Sequence, residues 1–557
     1  MKISSFDIFD TCLIRKCGTP ECFFDVFSLR AFNGEIEEWV RQEFVAARRL
    51  TEQSLWDNSY YTLQDIWEAF IWNHPLLKPK EELCRLEQEM EREMLVPVLT
   101  MLDKVNECRK KGDKIVFISD MYLPSEFLVD VMRRHGFYQD GDSLYVSCEC
   151  KAAKYDGALF RYVKDKEGLK SYRRWHHYGD NKQSDYKAPR KLGIKTTLIN
   201  HAYTPYQQQW VDNDFSLGFK YPSVLAGIGR ALHYSTEWTT HTDFVLDVIA
   251  PFYCSLVFRM MKDAERHGIK RLYFCARDAY MMFLIAEKYK HLFPSIECVF
   301  LYISRAALYK GDDEAKIAYF KSIGLATKED HVGIIDIRST GRTLVYLNEY
   351  LESKGCNVVR GYYYELFCRA VDVSQEYYPT DYYTELSDRY DIVKERLYGD
   401  FSRVFEVLFP LNVLPKTIGY KKTTEGVEPV FETINEDIDV DQVYVEDKQR
   451  WADIHSRLMT LFADYYVQSG LFQYSDEVFR LSNNTICRFI TMPTMPYLSA
   501  LQCLHGKRMG TEWIPYVKKE SWFRILFTRG KDTLWQEGTL VYSHFYWAQS
   551  FYRHFKK

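Results

Sequence analysis

The stretch from Ser5 to Leu13, SFDIFDTCL, decides the fold of the first third of this chain. A short apolar strand is predicted over residues 2–6, and it ends directly at the acidic residue Asp7. Further on, from Pro20 to Cys108, apolar residues recur at helical spacing, as in EEWVRQEFVAARRLTEQ. The sequence therefore predicts a first strand followed by an all-helical insert, before the next strand of the same sheet begins.

After this insert, strands and helices alternate as far as about residue 205. Strands are predicted at 113–118, 143–147, 175–178 and 195–199, and helices at 125–135, 157–164 and 184–192. Such alternation predicts an α/β domain with a doubly wound parallel sheet. In an open parallel sheet reactive groups gather at the carboxyl ends of the strands, which singles out five positions: Asp7, Ser119, Lys154, Asp180 and Asp185.

These positions lie in four motifs, which occur in the order SFDIFDTCL, IVFISDMYL, KAAKYDGALF and YGDNKQSDYKAPRKLGI. In order and context they resemble the four motifs of the haloacid dehalogenase (HAD) superfamily. The resemblance covers residues 1 to about 205, with a helical cap at about 18–108. It implies hydrolase chemistry in which a carboxylate attacks phosphorus and forms an aspartyl phosphate.

The resemblance also implies a role for each reactive residue. Asp7 is the expected nucleophile, Ser119 is expected to donate to a phosphoryl oxygen, and Lys154 is expected to balance the charge of the transferred group. Thr11 and Asp120, which lie close to these residues in the first two motifs, are expected to bind the substrate.

A magnesium ion is the cofactor that the resemblance implies, because Mg²⁺ prefers oxygen ligands. Asp7, the backbone carbonyl of Phe9 and Asp180 are its expected ligands, with Asp185 supporting the metal shell or the lysine. Related phosphatases usually carry a second aspartate two residues after the nucleophile, where it serves as general acid and base. Here Phe9 occupies that position, as an aromatic residue does in dehalogenating members. The carboxylate of Asp180 nevertheless favours a cation and phosphate chemistry, and Asp10 or a cap residue is the candidate acid.

A second α/β unit, phosphoribosyltransferase-like, is predicted over residues 210–403, with strands at 271–275, 299–303, 332–335 and 358–364. The strand-end rule singles out eight of its residues: Arg277, Asp278, Arg305, Asp336, Ser339, Thr340, Gly341 and Thr343. The segment IIDIRSTGRTL resembles the phosphoribosyl-diphosphate loop of type I phosphoribosyltransferases, and ARDAY resembles their diphosphate loop. The alternative is a strand-to-helix turn capped by Ser339 or Thr340, with the arginines in structural ion pairs.

Composition argues against several classes of protein. The 73 basic and 77 acidic residues leave a net charge of −4, which does not favour binding to nucleic acid or a membrane. No secretion signal is recognised at the start and no CxxC pair occurs, so a cytoplasmic location with reduced thiols is expected. The apolar stretch 244–261 contains Asp247 and Pro251, which favours a buried helix over membrane insertion. Residues 404–557 are predicted to be mainly helical, and the sequence leaves the oligomeric state open.

The predicted function is that of a magnesium-dependent phosphatase or phosphotransferase. Its expected partner is a small phosphorylated metabolite, namely a sugar phosphate or a nucleotide derivative. Two alternatives stay open at this point. One is a bifunctional enzyme whose second domain transfers a phosphoribosyl group, and the other is a non-catalytic binding or scaffold protein in which Phe9 marks lost turnover.

Overall fold

The computed structural model of this protein describes residues 2–56, 60–237, 239–328, 331–339, 342–362, 365–366, 407–433, 443–491, 495–508, 512–521, 524 and 533–543. The chain divides into two compact units, Met1–Trp238 with Gln468–Leu471 and Thr239–Val467 with Phe472–Lys557. The first unit thus continues beyond residue 205, where the sequence predicted a boundary.

A parallel sheet forms the centre of the first unit. The described strands of this unit are β1 (Ile3–Phe6), β2 (Leu13–Arg15), β3 (Leu95–Pro97), β4 (Lys114–Ser119), β5 (Ser143–Val146), β6 (Trp175–Gly179) and β7 (Lys195–Leu198). The sheet has the order β5-β4-β1-β6-β7 with every pair parallel, whereas β2 and β3 pair antiparallel beside it. This is the predicted doubly wound parallel arrangement.

Helices cover the sheet and form the insert. They are α1 (Pro20–Ser28), α2 (Glu38–Ser54), α3 (Leu63–Ala69), α4 (Lys80–Met94), α5 (Leu99–Lys110), α6 (Ser125–Arg134), α7 (Ser147–Cys150), α8 (Ala158–Lys166), α9 (Ala188–Lys191), α10 (Pro205–Asp212) and α11 (Tyr221–Ser235). A short 3₁₀ helix at Tyr172–Arg174 and a π-helical turn at Lys182–Lys187 complete the unit.

The central strand β1 is buried along its whole length and pairs with a strand on each side. Ile3 lies in register with Lys114 of β4 and with Trp175 of β6. Ile3 and Trp175 pack with Val116 and Phe160 in one apolar cluster. Burial of each large side chain contributes roughly 1.5–3 kcal/mol. This packing fixes the carboxyl ends of β1, β4 and β6 side by side.

The helices α1 to α5 lie between β2 and β4, as predicted for the insert, but the insert is not all-helical, because the short strand β3 lies between α4 and α5 and pairs with β2. Two buried ion pairs hold this cap together: Arg48 with Glu87 at 2.8 Å, and Arg15 with Glu91 at 2.7 Å. The indole Nε1 of Trp67 also donates to Glu87, at 3.0 Å. Because removal of one partner would leave an uncompensated buried charge, each pair depends on both of its members.

The second unit contains another parallel sheet. Its described strands are β8 (Arg271–Cys275), β9 (Glu297–Leu301), β10 (Val332–Ile335), β11 (Arg338–Ser339), β12 (Arg360–Tyr362), β13 (Glu365–Leu366), β14 (Thr417–Thr423), β15 (Gly426–Phe431), β16 (Val443–Val445), β17 (Leu504–Arg508) and β18 (Glu512–Pro515). The main sheet has the order β12-β10-β8-β9 and is parallel throughout, which confirms the predicted fold class. The strand expected at 299–303 begins two residues earlier than predicted.

The described helices of the second unit are Thr240–Phe244, Ala250–Arg266, Tyr280–Tyr289, Arg305–Tyr309, Asp313–Ser322, Arg342–Ser353, Lys448–Gln468, Ser475–Thr491, Met495–Leu498 and Gln536–Tyr542, with a π-helical turn at Val245–Ile249. Among the described residues one helical stretch, His241–Arg266, is long and apolar enough to cross a membrane. Its apolar window is 94% buried inside the protein, as the aspartate and proline in this stretch predict. Beyond residue 404 the helices are joined by the strands β14 to β18.

Candidate functional site

The reactive segment begins where β1 ends. The backbone N–H of Asp7 donates to the carbonyl of Tyr178 at 2.8 Å, so the sheet pairing continues one residue past the strand. A tight turn follows, in which the N–H groups of Cys12 and Leu13 both donate to the carbonyl of Ile8. Asp10 adopts a left-handed conformation in this turn, with φ of 50°. The turn leaves Asp7 buried at the carboxyl edge of the sheet, with its side chain facing a cleft.

Lys154 connects two carboxylates at this edge. Its Nζ lies 2.6 Å from Oδ1 of Asp7 and 2.6 Å from Oδ1 of Asp185. The side chain of Lys154 is only 4% exposed, so water screens these pairs weakly. Both carboxylate oxygens of Asp120 accept from the backbone N–H of Lys154, at 2.8 and 3.0 Å, which fixes the loop that carries the lysine. The structure therefore brings residues of all four predicted motifs into contact.

A cluster of three carboxylates surrounds this lysine. Oxygen atoms of Asp7, Asp180 and Asp185 all lie within 4.8 Å of one another. The hydroxyl of Thr11 donates to Oδ1 of Asp180 at 3.1 Å, so this residue orients a member of the cluster. Three carboxylates beside one ammonium leave an excess of negative charge in a mostly buried place. An oxygen-rich site with this excess fits a divalent cation such as Mg²⁺.

The carboxylate oxygens of the cluster differ in the number of hydrogen bonds that they accept. Oδ1 of Asp185 accepts from Lys154 and from His177, and its Oδ2 accepts from the backbone N–H of Asn181 at 2.9 Å. Oδ2 of Asp7 and of Asp180 has no donor among the described residues. A cation would therefore find its open protein oxygens on Asp7 and Asp180, whereas Asp185 already serves the lysine. Gly179 is required beside this carboxylate, because a Cβ there would lie 2.4 Å from Cγ of Asp185.

Burial controls the ionisation of these groups. Desolvation raises the pKa of Asp7, and the charge of Lys154 opposes that rise. Desolvation also raises the pKa of Asp180. For Lys154, desolvation lowers the pKa, but the two carboxylates outweigh it and the pKa is raised. The lysine is therefore a cation at neutral pH, fixed between two acidic side chains.

A buried chain of hydrogen bonds connects the strands of the sheet to Asp185 of the cluster. Nε1 of Trp175 donates to Oγ of Ser5 at 2.7 Å, and this hydroxyl in turn lies 2.7 Å from Nδ1 of His177. His177 Nε2 lies 3.1 Å from Oδ1 of Asp185. Since the carboxylate of Asp185 can only accept, the neutral imidazole carries its hydrogen on Nε2, and its Nδ1 accepts from the hydroxyl of Ser5. Sequence reasoning did not assign this role, although the register of Ser5 opposite His177 is a signal for it.

The cleft above the cluster has a volume of about 650 Å³. Ser119, which ends β4, is 1% exposed and has no side-chain partner among the described residues, so its hydroxyl can serve a ligand. Phe9 also lines the cleft, and the guanidinium of Arg15 lies over its ring, 4.6 Å from the centroid. Asp10 lines the same cleft but pairs with Arg230 of α11 at 2.6 Å. Sequence reasoning missed this arginine.

The structure separates the residues of the second predicted site into two groups. Asp278 follows β8 and Asp336 follows the adjacent strand β10. Burial raises the pKa of Cys275, and the charges of these two aspartates raise it further. Arg277 has φ of 68°, and its carbonyl accepts from Asn412 at 2.7 Å. Three other residues of the predicted site lie in different elements. Arg305 is exposed at the start of a five-residue helix, Ser339 lies in β11, and Thr343 lies in the helix that follows.

Thr340 and Gly341, which the predicted phosphoribosyl-diphosphate loop needs most, lie outside the described residues. The backbone N–H of Asp336 donates to the carbonyl of Tyr362 at 3.0 Å, and its Oδ1 accepts from Ile337. Both the backbone and the side chain of this aspartate thus form hydrogen bonds at the carboxyl end of β10. The phosphoribosyltransferase-like character of this unit stays a prediction.

Comparison with solved structures finds HAD proteins over the N-terminal part of the chain. A HAD phosphatase from Thermococcus onnurineus matches with 18% identity and a TM-score of 0.27, over 36% of this chain and 87% of that one. The L-2-haloacid dehalogenase from Xanthobacter autotrophicus matches with 12% identity and a TM-score of 0.30, over 40% and 88%. A HAD family enzyme from Bacteroides thetaiotaomicron, solved with magnesium and inorganic phosphate, matches with 16% identity and a TM-score of 0.26, over 36% and 94%. No family model and no curated protein matches the chain.

Proposed function

We propose that this protein is a magnesium-dependent phosphatase or phosphotransferase that forms an aspartyl phosphate at Asp7. The observation that supports this most strongly is the position of Lys154, 2.6 Å from both Asp7 and Asp185 and within a cluster completed by Asp180. A buried ammonium between a nucleophile and a supporting carboxylate is suited to a site that receives a phosphoryl group. The expected substrate is a small phosphorylated metabolite.

Each side chain of the cluster has a distinct task in this proposal. Asp7 attacks phosphorus with one of its carboxylate oxygens, and Lys154 balances the charge that gathers on the transferred group. The hydroxyl of Ser119 donates to a phosphoryl oxygen. Asp185, held by His177 and Asn181, keeps the lysine in place.

Asp7, Asp180 and the carbonyl of Phe9 would hold Mg²⁺. When bound, the ion neutralises charge between the phosphate and the attacking carboxylate. The excess of carboxylate over ammonium in the cluster supports this assignment. The hydroxyl of Thr11 would keep one oxygen of Asp180 oriented, which leaves the other for the cation.

A screen of phosphorylated metabolites with magnesium tests the proposal. The intact chain and an Asp7→Asn variant would be compared for release of inorganic phosphate. We expect hydrolysis by the wild type and a loss of at least about 10³-fold in the variant, as for removal of a nucleophile. Circular dichroism would establish that the variant is folded. Equal activity in both proteins would remove Asp7 from the mechanism, and inactivity of both would favour the non-catalytic alternative.

A further inference from the structure

Seven carboxylates line the cleft among the described residues, and three of them form the cluster around Lys154. The other four each accept from a cation or an amide: Asp10 from Arg230 at 2.6 Å, Glu21 from Arg49 at 2.7 Å, Glu52 from Arg48 at 3.0 Å, and Asp120 from the N–H of Lys154 at 2.8 Å. Each of these four carboxylates is thus already engaged by a protein donor.

The position that would carry a general acid is filled by an aromatic ring. Phe9 stands two residues after Asp7, and the guanidinium of Arg15 lies over its ring. Glu91 accepts from Nε and Nη2 of Arg15, which leaves Nη1 as the nitrogen without a protein partner among the described residues. Arg15 is 6% exposed and lines the cleft. A hydrogen-bond donor that cannot give up its proton thus lies where an acid is absent.

We infer that the leaving group departs from phosphorus without being protonated, and this inference rests on the proposed function. An oxygen of Asp7 forms the new bond to phosphorus as the bond from phosphorus to the leaving oxygen breaks. The electron pair stays on that oxygen, which leaves as an anion and takes a proton from solvent afterwards. The Nη1 of Arg15 is available to donate to this anion. Water then attacks phosphorus, the electron pair of the broken bond returns to Asp7, and the water proton passes to solvent.

This chemistry selects the class of substrate. An alkoxide is a poor leaving group, so alkyl phosphates such as hexose 6-phosphates need a general acid, which contributes about 10²- to 10⁴-fold in rate. A departing phosphate or carboxylate is already a stable anion and needs none. The substrate is therefore a phosphoanhydride, such as a nucleoside diphosphate or an acyl phosphate. Of the two classes that the sequence predicted, this favours the nucleotide derivative over the simple sugar monoester.

The dependence of rate on the leaving group tests the inference. The intact chain with magnesium would be given acetyl phosphate, ADP, 4-nitrophenyl phosphate, phenyl phosphate and glucose 6-phosphate. We expect kcat/KM to fall steeply as the pKa of the leaving group rises, with glucose 6-phosphate slower than 4-nitrophenyl phosphate by at least about 10²-fold. We also expect kcat/KM for phenyl phosphate to be almost unchanged in deuterium oxide, because no proton moves as the bond breaks.

A shallow dependence, with less than about a tenfold spread in kcat/KM, would overturn the inference and leave the proposed function intact. Absence of any turnover that depends on Asp7 would overturn both. Asp10→Asn and Asp120→Asn provide the controls, and desolvation raises the pKa of Asp120, which makes it the strongest competing acid. We expect the same steep dependence in both variants. A wild-type dependence that is shallow and becomes steep in either variant would identify that residue as the acid. This ratio between substrates does not depend on the folded fraction of the variant.

Discussion

Both units of this protein carry acidic and basic residues at the carboxyl end of a parallel sheet, but the charges meet in different ways. In the first unit Lys154 lies between Asp7 and Asp185, within 2.6 Å of each. In the second unit Asp336 is bonded to the sheet edge, and Arg305 is exposed. Among the described residues neither Arg277 nor Arg305 forms an ion pair.

The difference shows that a strand-end position is necessary for such a site without being sufficient. Groups from separate loops must also converge, and burial must make their charges depend on one another. In the first unit the residues come from the ends of β1 and β6 and from the loop before α8, which the packing of the sheet fixes side by side.

The largest effect is expected from Lys154→Met. This change leaves Asp7 and Asp185 as unpaired buried carboxylates, so the free energy of unfolding should fall by about 3–5 kcal/mol. The control is Lys422→Met, because Lys422 pairs with Glu314 on the surface of the second unit at 2.7 Å and both side chains are more than half exposed. That variant should lose far less stability, because water screens an exposed ion pair. Urea unfolding, monitored by hydrogen exchange in each unit, measures the loss of stability in both variants. Equal losses would mean that the cluster is no more coupled than a surface pair.

Acidification should change the contributions of Asp25 and His241 to the free energy of unfolding in opposite directions. Burial raises the pKa of Asp25 in the first unit from 3.8 to about 6. The stabilisation from its bound proton is complete below pH 3.8 and is lost as the pH rises through 6. In the second unit burial lowers the pKa of His241 from 6.5 to about 3, beside His455 at 2.7 Å. Stability from this neutral histidine is present above pH 6.5 and is lost as the pH falls.

Between pH 6.5 and 4 each group should change the free energy of unfolding by up to about 3 kcal/mol, with opposite signs. Hydrogen exchange of each unit, corrected for intrinsic rates, measures both changes across this range. Asp25→Asn should remove the contribution of Asp25 from the pH dependence of the first unit and leave that of the second unit unchanged. An unchanged pH dependence of the first unit in this variant would contradict the raised pKa of Asp25.

Magnesium should stabilise only the first unit. Its effect on the free energy of unfolding should be smaller than that of Lys154→Met. At a free concentration of 100 times Kd, binding adds about 2.7 kcal/mol to the free energy of unfolding. Thermal unfolding with and without EDTA would measure this stabilisation, and hydrogen exchange would assign it to a unit. The gain should disappear in Asp180→Asn and persist in Asp336→Asn. Stabilisation of the second unit instead would place the cation at the other sheet edge.

Local sequence patterns predicted a large part of the first unit. The alternation of strands with helices, the helices of the insert and the parallel sheets are all confirmed. Ser119 and Lys154 could be selected because each follows a strand or lies in a motif that resembles a known one. Their catalytic roles stay predictions. The strand predicted at 299–303 lies at 297–301, since apolar patterning locates the centre of a strand better than its ends.

Long-range partners could not be predicted in the same way. Arg230 lies 220 residues from Asp10 in the sequence, on a helix beyond the expected domain end, and only the packing of that helix brings the two together. The pairing of Arg15 with Glu91 likewise depends on how the cap closes. No periodicity of 2 or 3.6 residues carries information of this kind.

The sequence by itself determined which residues form strands, which faces are apolar and which polar side chains follow the strand ends, because these properties depend on neighbours a few residues apart. The tertiary structure alone decided that His177 supports Asp185, that Asp10 is engaged by an arginine, and that Phe9 lies beneath a guanidinium. Those contacts arise from the closure of long loops, and their free energy depends on burial that exists only after the sheet and cap have packed.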